Sequence, residues 1–318
     1  MKNATNRHKP NRQAGTLFWS MVFAASFTAL TIGQLAAEEA SQRTFDSPAK
    51  AAQSMYLAAK AGNTDELMRI FGPQARNLLS SGDPVADKGD RDRIIEKYQE
   101  MHRLVVEPDK SVTLYIGSEN WPFPVPLVNK NGVWFFDTPR GRQEILFRRI
   151  GRNENATIDT LQALAAAEEE YARQPHDGDA VRQYTPKLLS DEGKHNGLFW
   201  ESAEGQPQSP IGPLIAGAAR EGYKKQNGPT AFHGYFYRVL KSQGKDAPGG
   251  AMDYMTNGRL TRGFAIVAYP ATYRNSGVMT FIVGRDGQVY QKNLGPRTAS
   301  LATAMTAYNP DRTWQPAE

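Results

Sequence analysis

The residues best suited to chemistry are few and scattered. The chain has no cysteine, which excludes thiolate nucleophiles, thiolate metal sites and disulfides. Its histidines are His8, His102, His176, His195 and His233. They lie far apart, but sites often assemble from distant residues, so spacing alone does not exclude one. The densest constellation is His233-Gly234-Tyr235-Phe236-Tyr237-Arg238. Side chains alternate along a strand, which predicts His233, Tyr235 and Tyr237 on one face and Arg238 on the other. Aromatic rings beside cations bind sugar rings or bases. Arg259 and Arg262 add charge to the same half of the chain. The plainer reading is strand packing, which tyrosine suits, and it is the favoured one. Gly249-Gly250-Ala251, with Asp253 and Asn257, either lets backbone approach a ligand closely or simply turns.

His102 and Asp137, or alternatively His233, are the tempting residues for a hydrolase pocket, but no partner spacing supports the pair. Asp177-Gly178-Asp179 opens like a calcium loop, yet the spaced oxygen ligands and closing glutamate are missing, so it reads as a turn. There is no Gly-x-Ser-x-Gly elbow, phosphate loop, dinucleotide fingerprint or His-Glu-x-x-His site. No catalytic residue, metal site or cofactor is assigned. The candidate binding residues are His233, Tyr235, Tyr237, Arg238, Arg259 and Arg262.

The elements that must position these residues begin after a targeting segment. Lys2, Arg7, Lys9 and Arg12 precede an apolar run from Ala14 to Gly33, and Leu35-Ala36-Ala37 offers a cleavage site before Glu38. This is the order of a secretory signal peptide over residues 1–37, with an uncleaved membrane anchor as the alternative. The chain carries 38 basic and 33 acidic residues. Removing the segment takes away four basic residues and leaves near balance, so the charge argues against nucleic acid. Residues 211–318 hold 13 basic and 6 acidic side chains, whereas residues 38–210 are net acidic. That asymmetry marks either an anion-binding surface or two halves that dock on each other, the second being favoured.

A chain of 318 residues accommodates two domains, placed at 45–150 and 156–310. Ser47-Pro48 starts a helix that stops at Gly62, and Thr64 opens a second. Ser80 to Gly89 reads as a polar loop, followed by a helix near Arg91 to Arg103. Ser111–Gly117 alternates as a strand. The proline-rich Trp121 to Leu127 suits only an edge or extended segment. Asn131-Gly132 turns a hairpin into Val133–Asp137. Arg142–Ile150 and Ala156–Arg173 read as separate helices, with Glu168-Glu169-Glu170 a solvated face. Glycine and proline break up 186–229, where Leu214–Gly222 is one short helix. Four strands follow, His233–Leu240, Arg262–Tyr269, Gly277–Val283 and Gln288–Leu294. Asp286-Gly287 joins the last two as a hairpin, and a helix near Thr298–Tyr308 closes the chain.

Helices followed by a sheet with a Gly-x-Trp strand, over Phe45–Ile150, resemble the cone-shaped nuclear-transport-factor-like superfamily. Longer motifs carry a more specific resemblance. Trp121-Pro122-Phe123-Pro124-Val125-Pro126, His233-Gly234-Tyr235-Phe236-Tyr237-Arg238-Val239-Leu240, Gly249-Gly250-Ala251, Gly263-Phe264-Ala265, Ser276-Gly277-Val278-Met279-Thr280-Phe281 and Val289-Tyr290-Gln291-Lys292-Asn293-Leu294-Gly295 resemble the bacterial domain of unknown function 2950. That resemblance covers nearly the whole mature chain and implies export without implying a reaction. The helix, the Gly-rich loop and the meander are also similar to type IV pilin-like heads. Here, however, a whole domain separates the apolar N-terminal run from the head helix.

The fold expected is α+β: N-terminal helices on a curved antiparallel sheet, then a helix on an antiparallel meander. The function expected is an exported bacterial envelope protein, periplasmic or secreted, acting as a non-enzymatic binding or structural module. An envelope hydrolase and a pilin-like subunit are the alternatives. The partner suggested by the basic half is an anionic envelope surface or polysaccharide.

Overall fold

The computed structural model describes residues 42–202, 205, 208–223 and 230–317. The predicted signal peptide and its cleavage point lie outside the described residues. The described residues fall in one compact unit by their contacts.

The helices start where capping chemistry allows. Helix α1 (Pro48–Lys60) begins behind Ser47, whose hydroxyl accepts the Lys50 amide. Helix α2 (Thr64–Phe71) is capped by Asn63, and a single turn, α3, covers Arg76–Leu79. Helix α4 spans Pro84–Glu100 and is capped by Asp83, which accepts the Val85 and Ala86 amides at 3.1 Å. The expected loop at Ser80–Gly89 therefore gives way to helix, because Asp-Pro supplies both an N-cap and a first-turn proline.

Five strands follow: β1 (His102–Val106), β2 (Val112–Ile116), β3 (Trp121–Pro122), β4 (Leu127–Lys130) and β5 (Val133–Phe136). They form an antiparallel sheet in the order β1-β2-β4-β5, with β3 on β2. Sequence reading missed β1 and had absorbed His102 into the preceding helix. Val112, Leu114 and Ile116 are buried on one face, as their alternation predicts. Asn131 and Gly132 both adopt positive φ, 54° and 85°, in the tight β4–β5 turn. The helices and this sheet enclose a first core around Met55, Ile70, Leu114, Leu127 and Phe136.

Helix α5 runs unbroken from Thr138 to Tyr171, 34 residues, about 51 Å at 1.5 Å per residue. It spans the gap expected between Ile150 and Ala156. Gly151, Asn153 and Asn155 are weak helix formers and suggest a break. Tertiary bonds override them: Asn153 Nδ2 donates to Ser276 O at 2.9 Å, and Glu154 accepts the Val278 and Met279 amides. Helix α6 (Gly212–Glu221) follows and ends at left-handed Gly222.

The second core forms under a five-stranded antiparallel sheet. Its strands include β6 (Tyr235–Leu240). Short strands β7 (Ser242–Gln243), β8 (Met252–Asp253), β9 (Met255–Thr256) and β10 (Arg259–Leu260) intervene. Then come β11 (Ala265–Pro270), β12 (Thr280–Gly284) and β13 (Val289–Lys292), helix α7 (Thr298–Ala304), β14 (Ala307–Tyr308) and β15 (Gln315–Pro316). The order β15-β13-β12-β11-β6 is the expected meander with an added edge strand. Its face packs on Leu161, Leu164 and Tyr171 of α5. The fold is thus α+β. Among the described residues, no helix is long and apolar enough to cross a membrane.

Candidate functional site

The sequence-predicted binding residues do not all assemble into one site; only Tyr237 and Arg238 share a lining, that of an apolar cavity of about 510 Å³. His233 sits at φ 49° in the turn before β6, so it leaves the face it was expected to share with Tyr235 and Tyr237. Its Nε2 lies 3.6 Å from Glu221. Tyr235 is fully buried and donates to Met279 O at 3.0 Å. Tyr237 reaches the Thr157 hydroxyl at 3.4 Å, and burial pushes its phenol up to about 12. Both tyrosines thus pack toward α5. Arg238 points the other way, as alternation requires, and donates to Ala302 O and Met305 O at the end of α7. Arg259 pairs with Asp179 at 2.8 Å, and Arg262 is exposed.

Among the described residues, two ion pairs cross between the acidic and basic stretches, Arg259–Asp179 and Arg285–Glu169. His102 and Asp137 do not meet either. The His102 ring stacks on Tyr98 at 4.0 Å, in a groove lined by Tyr56 and Arg103. Asp137 caps α5 by accepting the Arg140 amide. Asp177-Gly178 forms a turn, and Asp177 accepts the His195 amide. Gly249 and Gly250 turn at positive φ, and Gln243 Nε2 ties that loop through Pro248 O and Gly250 O. Among the described residues, no cluster of three or more metal-ligating side chains forms.

A different site emerges between α4 and α5. A cavity of about 420 Å³ opens there, floored by Phe71, Leu78, Phe123 and Val125 and flanked by Trp121. Each helix contributes four side chains at the spacing i, i+3, i+4, i+7, which places them on one face. Helix α4 gives Asp90, Arg93, Ile94 and Lys97; helix α5 gives Ile145, Arg148, Arg149 and Arg152. A smaller lobe of about 110 Å³, bordered by Met55, Ala59 and Leu67, shares Leu78, Ile94, Phe123 and Arg149 with the main cavity.

Asp90 clamps the two helices. Its carboxylate takes a two-pronged contact from Arg152 at 2.9 and 2.8 Å and a third bond from Arg93 at 2.9 Å. Lys97 pairs with Glu119. Arg148 pairs with Glu144 at 2.6 Å and lies 5.2 Å over the Trp121 ring, a cation–π contact. Arg149 is 7% exposed. Its guanidinium donates to the carbonyls of Asn77 and Leu78 and to Asn275 Oδ1, at 2.5–2.8 Å. Burial pulls its pKa down, while the charges of Asp87 and Asp90 oppose that shift.

No histidine, serine or threonine lines the cavity, and Asp90 is occupied by two guanidiniums. Sequence reading missed the site because its two stripes are 55 residues apart in the chain, from Asp90 to Ile145. Their matching spacing is the signal that was there to find.

A sequence model for the family described as "Protein of unknown function (DUF2950)" matches residues 42–317. No curated protein and no solved structure matches the chain.

Proposed function

The chain belongs to the DUF2950 family, and from that premise we propose that it is an exported, non-enzymatic binding module of the bacterial envelope. Its ligand seat in this reading is the cavity between α4 and α5. One observation carries it: two helices aim matched stripes of apolar and charged, mostly basic, side chains at an apolar cavity of about 420 Å³. Small-molecule sites are commonly concave and apolar, ~300–1,000 Å³, with a few placed polar groups. Export rests on the basic start, the apolar run and the small residues before Glu38. The two parts then have distinct roles. The first core holds the seat, and the second braces it through α5. The hydrolase alternative loses support, because His102 and Asp137 serve a ring stack and a helix cap.

One experiment tests the reading. The exported protein is recovered, its N-terminus is sequenced, and it is titrated with 1-anilinonaphthalene-8-sulfonate. We expect a start at Glu38 and one saturable dye site. Leu79 lines the cavity, and Leu79→Trp, which fills it, is expected to remove that site while thermal unfolding stays cooperative. An N-terminus at Met1 would overturn export by cleavage. Dye binding that Leu79→Trp leaves intact would overturn the cavity.

A further inference from the structure

We propose that the cavity between α4 and α5 accepts a linear alkyl chain ending in a carboxylate, its head at the arginine rim and its tail in the apolar lobe. The inference rests on the binding reading above and adds the ligand's chemistry.

Charge selects the head. Five cations line the cavity: Arg93, Lys97, Arg148, Arg149 and Arg152. Their carboxylate partners number three, Asp90, Glu119 and Glu144. The rim therefore keeps a positive excess after its internal pairing. The excess is sharpest at Arg149, a buried guanidinium whose hydrogen bonds all go to neutral carbonyl oxygens. Asp87 and Asp90 act on it through charge alone and without a hydrogen bond; a buried charge so incompletely paired is costly, and an anionic head beside it offsets that cost. A cationic head meets repulsion, and a neutral head leaves the excess in place. Arg148 is the member free to turn toward a ligand. It is partly exposed at 39%, and an exposed ion pair such as its bond to Glu144 is worth only ~0–1 kcal/mol.

Shape selects the tail. The main cavity adjoins the smaller lobe against Met55, Ala59 and Leu67, with Leu78, Leu79, Asp90, Ile94, Phe123 and Arg149 lining both. A space of only about 110 Å³ with Met55, Leu67, Leu78, Leu79 and Ile94 in its lining suits a flexible chain better than a fused ring system. Its polar lining is Thr64, Asp87, Asp90, Arg91 and Arg149, of which Asp90 and Arg149 belong to the main cavity as well.

The test compares three probes of equal chain length below their micelle concentrations: dodecanoate, dodecanol and dodecyltrimethylammonium. Each is titrated calorimetrically into the full mature chain, the Arg148→Gln variant and the Leu79→Trp variant. Unfolding curves confirm that both variants fold. Dodecanoate is expected to bind once per chain, at least tenfold tighter than dodecanol, and dodecyltrimethylammonium not at all. Arg148→Gln is expected to weaken dodecanoate severalfold and leave dodecanol unchanged, while Leu79→Trp removes both. Equal affinity for dodecanoate and dodecanol overturns the carboxylate inference but spares the cavity. Failure of all three probes, or dodecanoate binding untouched by Leu79→Trp, overturns the inference together with the binding reading.

Discussion

Glu168 is the residue whose setting departs furthest from what its neighbours in sequence suggest. Glu168-Glu169-Glu170 reads as a solvated run, yet Glu168 is fully buried. One oxygen accepts the Thr185 amide at 3.0 Å, and the other has no partner among the described residues. Burial, helped by the charge of Glu169 and opposed by the Thr185 bond, pushes its carboxyl from 4.5 up to about 8. Between those values the folded chain holds a proton that the unfolded chain has released. Stability therefore falls as pH rises from about 4.5 and levels off once pH passes about 8. The loss is at most roughly 5 kcal/mol, at 1.36 kcal/mol per pKa unit. Urea unfolding from pH 5 to 9 is expected to show this slope, and Glu168→Gln, neutral throughout, is expected to flatten it. Parallel slopes in the two proteins would rule out Glu168 as the source. Nothing in the local sequence separates Glu168 from Glu169. Only the packing of α5 against Tyr184 and Thr185 does so.

At the scale of elements, α5 shows how one helix serves two ends with opposite demands. Near its start, Gly141 touches the proline-rich segment. A Cβ there would lie 2.6–2.7 Å from Val125 Cγ2, Pro124 O and Val125 Cα. Two of those atoms are backbone and have little room to yield. Gly141→Ala is expected to cost about 1–3 kcal/mol by overpacking and to disturb the cavity floor at Val125. Ten residues on, the Cβ of Gly151→Ala meets nothing within 4 Å. That change is expected to stabilise by about 1 kcal/mol through helix propensity alone. Denaturant midpoints for the two variants check both signs, and a shift in the same direction for both would contradict this account. Caps and turns were legible in advance: Ser47-Pro48, Asn131-Gly132 and the Asp286-Gly287 hairpin all behave as their local chemistry demands. The continuity of α5 was not legible, because Gly151, Asn153 and Asn155 lower propensity where distant partners restore the helix.

Across the whole molecule, a polar seam joins the two cores. Arg149 and Asn275 bind each other and the carbonyls of Leu78 and Ser80. Asn153 holds Ser276. Asp83, 1% exposed, caps α4 while accepting the Tyr223 hydroxyl at 2.7 Å and the Gly234 amide at 3.0 Å. Because these bonds and α5 cross the seam, unfolding followed at Trp134 in the first core and Trp314 in the second is expected to give coincident transitions. Gly151→Pro, which removes a helix bond at a cost of about 3 kcal/mol, is expected to separate them. Distinct midpoints already present in the unmodified chain would mean that the two parts fold independently. The sequence by itself determined the α+β class, the four central meander strands, the turn positions, the family, and the lack of cysteine chemistry and of the familiar catalytic motifs. Those rest on backbone preference and short-range alternation, which act within a few residues. Only the tertiary structure decided that Tyr235 is core and Tyr237 packs against it, that Arg238 and Arg259 are spent on internal partners, and that Asp90 draws α4 and α5 together around a basic-rimmed cavity. Burial and charge pairing depend on which distant segments pack together, and no local pattern encodes that.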